Sequence, residues 1–194
     1  MAELGNHTLT FEPRLSDGEF DELCRRYPDM NIELTKEGTI RMMTPAGNES
    51  SEANSEIIRQ LGNWWHTHKR GRVFDSNTVF VLPDGSKLGP DAAYITEERV
   101  ALVPREAWRG FAPVCPNFVI ELLSATDALS AANDKMHDWM ANGIELGWLI
   151  DPYRRFSYCY SNITETMTAD SELHGSGPVE GFALDLTEVW RAYQ

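Results

Sequence analysis

An α/β fold with a mixed central β-sheet flanked by helices is what this sequence predicts, on three observations. Residues 117–150 read as strand, helix, strand, with both strands apolar throughout, as in parallel neighbours joined by a crossover helix. Residues 50–68 carry Ile57, Ile58, Leu61, Trp64 and Trp65 at helical spacing, one stripe to lay on a sheet. The remaining apolar runs are short and bounded by turn signals, as antiparallel strands are. The 194 residues suit a single domain, with a core over about 17–160 and a C-terminal extension over 161–194.

The elements follow in order. In SDGEFDELCRRY (16–27), Ser16 and Glu19 form a capping box and Phe20 and Leu23 the apolar side of a short helix. NIELTKEGTIRMM predicts a hairpin, with strands near Ile32–Thr35 and Thr39–Met43 and a turn at Lys36-Glu37-Gly38. Lys69, Arg70 and Gly71 end the long helix. RVFDSNTVFVL and KLGPDAAYI flank Pro83-Asp84-Gly85-Ser86 and predict an antiparallel hairpin. Residues 96–115 are mixed, with a short helix around Arg99–Val103. After the strand at 117–123, residues 128–141 form a helix with Leu129, Ala132, Met136, Trp139 and Met140 inward, closed by Asn142-Gly143. Leu146–Ile150 and Phe156–Tyr160 pair across the turn at Asp151-Pro152-Tyr153. GFALDLTEVW near the end reads as a short apolar segment and a final helical turn.

Composition narrows the class. No run of about 18 apolar residues suggests a membrane span. MAELGNHTLTF lacks the basic start and apolar core of a leader peptide. Cys24, Cys115 and Cys159 are odd in number and form no CxxC pair, as expected of a reduced, cytoplasmic protein. A net charge of −13 argues against a broad non-specific nucleic-acid surface. Basic residues cluster at His68-Lys69-Arg70-Gly71-Arg72 and at Arg154-Arg155, and the plain reading, a solvated helix end and a turn, is preferred. His66 and His68, two apart on a helix, do not face one way, so packing or exposure suits them better than a metal.

The chemical signal is NFVIELLSATD. Glu121 stands in an apolar strand and shares a face with Val119 and Leu123. An unpaired carboxylate there costs several kcal/mol, roughly, or takes up a proton. Asp91, after Gly89-Pro90, lies in a second apolar strand. Two carboxylates on neighbouring strands repel unless one is protonated or a cation joins them. Mg²⁺ takes one or two carboxylates, waters and phosphate oxygens, and such a site suits phosphodiester hydrolysis. The plain alternative is that each acid caps a loop or pairs with a buried Arg. Lys135, one residue before the inward Met136, can reach back over the strand end to stabilise developing charge. It reads equally as a solvated lysine at the helix edge. His137, on the same helix, is a weaker candidate for a general base.

GPDAAYI, VIELLSATD and NDKMHDWMANGIELGWLIDPYRR resemble the Uma-two family of restriction-endonuclease-like proteins, within the PD-(D/E)XK nuclease superfamily. RMMTPAGNESSEANSEIIRQLGNWW and GFALDLTEVW extend the resemblance over roughly residues 17–190. The resemblance implies a restriction-endonuclease-like core and a Mg²⁺-dependent endonuclease acting on DNA, with Mn²⁺ a possible substitute. Pro90-Asp91 matches the PD element and Glu121 the acid of the second. These two would hold the metal, with Glu49 as a third acid and Glu56 as its competitor. The superfamily lysine stands two residues after the acid, where this chain has Leu123. The resemblance then makes Lys135 its replacement. If it is not, the chain is a weak or inactive nuclease-fold module that binds metal or nucleic acid. A homodimer is expected by analogy, since two-fold symmetry sets two sites on a duplex.

Overall fold

Ser16 caps the first helix as its sequence predicts: its hydroxyl accepts from Glu19 N–H, and the Glu19 carboxylate accepts from Ser16 N–H. The coordinates are a computed structural model that describes residues 7–10, 14–43 and 45–194. Most of the N-terminal segment read for a leader lies outside these. In chain order the elements are β1 (His7–Thr10), α1 (Asp17–Arg26), β2 (Asn31–Leu34), β3 (Thr39–Met43), α2 (Asn48–His68), β4 (Arg72–Asp75), β5 (Phe80–Val81), β6 (Lys87–Leu88) and β7 (Ala92–Ile95). There follow α3 (Glu97–Ala101), a 3₁₀ turn at Arg105–Arg109, β8 (Phe118–Leu122), α4 (Leu129–Asn142), β9 (Leu146–Asp151), β10 (Phe156–Ser161), β11 (Glu165–Thr168), β12 (Glu172–His174), β13 (Ala183–Asp185) and α5 (Leu186–Trp190).

The large sheet has the order β11-β10-β9-β8-β7-β4 and is mixed: β8 and β9 are parallel, and every other neighbour pair is antiparallel. Alternation along β8 divides the core between its two faces. Phe118, Ile120 and Leu122 pack with Ala53, Ile57 and Leu61 of α2. Val119 and Leu123 pack with Met136 and Trp139 of α4. Helices therefore cover both faces. The last residues complete the first of these layers: Leu184, Leu186, Val189 and Trp190 pack in the same cluster as α2.

A smaller antiparallel sheet, β1-β3-β2-β6-β5, carries α1 on a core of Phe20, Ile32, Leu34 and Ile40. Here the structure departs from the expected single hairpin over residues 72–95. Phe80 pairs with Leu88 in the small sheet, while Arg72–Asp75 pair with Ala92–Ile95 in the large one. Both arms thus change sheet midway. The second arm does so at Gly89-Pro90-Asp91. Gly89 is needed there because a Cβ would stand 2.8 Å from the Thr78 carbonyl oxygen.

The joint between α2 and β4 is tighter still. Lys69 ends α2 in the left-handed conformation (φ 52°), and Gly71 follows at φ +66°. A Cβ on Gly71 would lie 2.2 Å from the Ile95 carbonyl oxygen. Gly71→Ala is therefore expected to cost at least about 2 kcal/mol, from backbone strain plus a clash with an immobile group. Urea unfolding of the variant against wild type checks this, and an unchanged midpoint would refute it.

Candidate active site

The seam between the two sheets collects the charged residues that the apolar strands carry. Continuing the β7–β8 register one step past Ala92–Ile120 sets Asp91 opposite Glu121. Asp91 N–H donates to the Ile120 carbonyl (3.1 Å), and Asp91 Oδ2 accepts from Leu122 N–H (2.7 Å), which ties the acid to the next strand at both ends. Glu121 is 7% exposed. Its Oε1 accepts from the Trp139 indole N–H (2.8 Å) and its Oε2 from Lys135 Nζ (3.0 Å). Both donors come from α4, four residues apart and so on one helix face.

Lys135 reaches back over the end of the strand, and three acceptors surround its ammonium group. Besides Glu121 these are the Gly89 carbonyl (2.7 Å) and Glu33 Oε1 (2.8 Å). Glu33, on β2, is 1% exposed, accepts from Gly89 N–H (3.0 Å) and faces Arg41 at 3.8 Å. An ammonium has three protons, so all of them are taken.

Glu33 was not among the candidates read from the sequence. The signal that singled out Glu121 is present there too, a glutamate between Ile32 and Leu34. What the chain does not reveal locally is that both glutamates meet one lysine. Trp139 reads as a core residue and is one, but its N–H is also committed to Glu121.

The charges do not balance. Burial pushes the Glu121 carboxyl up to about 8, with Asp91 and Glu33 adding to the rise and Lys135 opposing it. Burial also raises Asp91 above the usual carboxylate range, against the pull of Lys135 and of the Leu122 N–H, while Asp127 and Glu33 push it further. For Lys135 burial works against the charge, but the facing Glu121 and Glu33 outweigh it and hold the ammonium protonated. The cluster has more carboxylates than cations.

The other predicted acids lie apart. Glu49 is exposed in the first turn of α2. Its charge is felt by Tyr153 and Tyr193, whose rings meet edge-to-face at 5.3 Å. Tyr193 also has its hydroxyl 3.5 Å from Ser50 Oγ, next to Glu49 on α2. Glu56 is two helical turns on, bonded to Arg59 (2.7 Å) and Gln60 (2.8 Å) beside Asp185. Asp91, Glu121 and Glu49 do not converge as one ligand group, and among the described residues no three Asp, Glu, His or Cys side chains do. A hard divalent cation takes one or two carboxylates beside water and phosphate, and Asp91 and Glu121 are two that the strand register sets opposite each other. Leu123 is 4% exposed in the core under α4. His137 turns away to Glu165 (3.3 Å) on β11.

The sequence profile of the Uma2 family, described as "Putative restriction endonuclease", matches residues 17–187. A solved crystal structure from Anabaena variabilis ATCC 29413, described as "a putative nuclease belonging to DUF820", superimposes with a TM-score of 0.73 at 19% identity, over 93% of this chain and 99% of that one. Among curated proteins there is no match.

Two outcomes are expected of this cluster. Glu33→Ala leaves Lys135 and Arg41 short of a buried partner and should cost about 3 kcal/mol in chemical unfolding. A loss below about 1 kcal/mol would show that Glu33 is dispensable to the cluster. In chelator, Glu121 ionises from its ordinary 4.5 in the unfolded chain but only near 8 in the folded one. The contribution of Glu121 to stability is then greatest below pH 4.5 and falls as pH rises to about 8. Melting curves across that window should show this slope in the wild type and a flatter one in Glu121→Gln; parallel curves would contradict the assignment.

Proposed function

Since this chain belongs to the Uma2 family of restriction-endonuclease-like proteins, we propose that it is a metal-dependent endonuclease that hydrolyses DNA phosphodiester bonds at Asp91, Glu121 and Lys135. The observation that supports this most directly is the excess of carboxylate around Lys135, two members of which have their protonated forms favoured by burial and mutual repulsion. Asp91 and Glu121 would hold Mg²⁺, or Mn²⁺, which when bound supplies charge stabilisation on the phosphate and a more acidic attacking water.

The protein's own groups have separable tasks. The Trp139 N–H fixes the plane of the Glu121 carboxylate, and the Leu122 N–H fixes that of Asp91. Lys135 turns its ammonium toward a phosphate oxygen or the attacking water, leaving one of its present acceptors. Glu33 and the Gly89 carbonyl keep that ammonium charged and in place until then. Lys135 thus takes on from a helix the task that the superfamily pattern gives to the position of Leu123. Glu49, exposed in the first turn of α2, would act through water. A homodimer would set one such site on each strand of a duplex.

The complete occupation of the lysine's protons also supports a second reading, a nuclease fold that binds metal or nucleic acid with little or no turnover. Plasmid nicking by the full chain separates the two. With Mg²⁺ or Mn²⁺ the wild type should nick, chelator should stop it, Glu121→Ala should abolish it, and Lys135→Ala should slow it roughly 100-fold or more. Nicking that survives in Glu121→Ala would overturn the assignment. Mg²⁺ binding by calorimetry without cleavage of any nucleic acid would leave the binding module.

A further inference from the structure

A second feature of the molecule borders the carboxylate cluster at Thr78, which lies against Gly89. β4 is an edge strand of the large sheet. Arg72 and Phe74, two apart on it, lie on one face. Trp108 of the 3₁₀ turn meets both: its ring stacks on Phe74 at 5.7 Å and 11°, and the Arg72 guanidinium lies 4.4 Å from its centroid. Phe74 in turn meets Phe80 edge-on at 5.3 Å. Between this aromatic wall, Phe111 and the loop at Asn77–Thr78 opens a cleft of about 330 Å³, with the exposed Arg109 on its lining. That volume is at the lower end of the roughly 300–1,000 Å³ typical of small-ligand pockets.

Two arginines stand at this cleft. The net charge is −13. Among the described residues neither Arg72 nor Arg109 has a carboxylate within ion-pair distance, as Arg25, Arg59, Arg154 and Arg191 do, though Arg26, Arg70, Arg105 and Arg155 share that state. Arg72 belongs to the basic run that begins at His68, so a feature with no evident purpose in the sequence ends at an aromatic cleft. The cleft also shares a wall with the cluster. The Thr78 carbonyl packs against Gly89, whose own carbonyl accepts from Lys135.

Flat aromatic walls, unpaired guanidiniums and a polar loop edge are what a base with its phosphate requires. A paired base inside a duplex cannot enter such a cleft without leaving its stack. We infer that this cleft binds one unpaired nucleotide of a nucleic-acid strand, next to the bond that Asp91, Glu121 and Lys135 address. The inference rests on the nuclease reading for what the strand is doing there. Arg72 and Arg109 take the phosphates, and Phe74, Trp108 and Phe111 enclose the base. The site thus favours substrate with a gap, flap or frayed end over an intact duplex.

Fluorescence anisotropy of a short labelled DNA single strand, and of the same sequence as a blunt duplex, tests this with the full chain in chelator, where nothing is cut. The single strand should bind about tenfold or more tightly than the duplex. Arg109→Ala and Arg72→Ala should each weaken single-strand binding several-fold, Trp108→Ala by roughly tenfold, and Arg155→Ala not at all. Both arginines are exposed, so their variants keep the result interpretable where loss of Trp108 disturbs the fold. Equal affinity for the two probes, no binding of either, or arginine variants that bind as wild type would overturn the proposal. The two readings fail separately. Cleavage with unaltered binding in the arginine variants removes the cleft and keeps the nuclease. Arginine-dependent single-strand binding with no cleavage under any metal does the reverse.

Discussion

The buried charges at the seam between the two sheets are organised around one ammonium group. Lys135 takes Glu33 from the small sheet, the Gly89 carbonyl from the crossing between sheets and Glu121 from the centre of the large sheet. Removing charges from water is costly, and an ion pair alone seldom repays it. Here the cost is offset by geometry: the lysine has no unused proton, Glu121 has a donor on each oxygen, and Gly89 uses both its N–H and its carbonyl within the cluster. The cluster is therefore a poor route to stability and a good one to position.

That position depends on ordinary packing. Gly143, left-handed at φ 103°, ends α4. Trp139 and Met136 bury completely against β8 and β9. The face of α4 that does this also carries Lys135, one residue from Met136, so the helix cannot bury its core residues without delivering the lysine. The asymmetry between many acids and one lysine is then a property of the seam. It leaves two acids whose protonated forms burial favours, and under the proposed reading a divalent cation would relieve that excess of carboxylate.

Much of this was legible in the sequence wherever the cause was local. The capping box at Ser16, the stripe of α2, the alternation of β8 and the glycine stop of α4 are written in neighbouring residues. So was the oddness of Glu121, because an acid flanked by Val119 and Leu123 contradicts its surroundings. The path of residues 72–95 was not, since nothing local tells Phe80 to pair in one sheet and Phe74 in another. β1 and the strands after Ser161 were missed because they are short, polar or distant from their partners. Glu33 carries the same contradiction as Glu121. Its meaning appears only when a lysine half a chain away is brought to it.

The crossing at Gly89-Pro90-Asp91 has a consequence for how the protein comes into being. Glu33 and Lys135 are separated by about half the chain, and closing so long a loop is entropically unfavourable until both sheets already exist. Chains still emerging from synthesis, or trapped with one sheet formed, have the acids without the lysine, or the lysine without its anchors. The cluster around Lys135 is therefore absent until both sheets are in place.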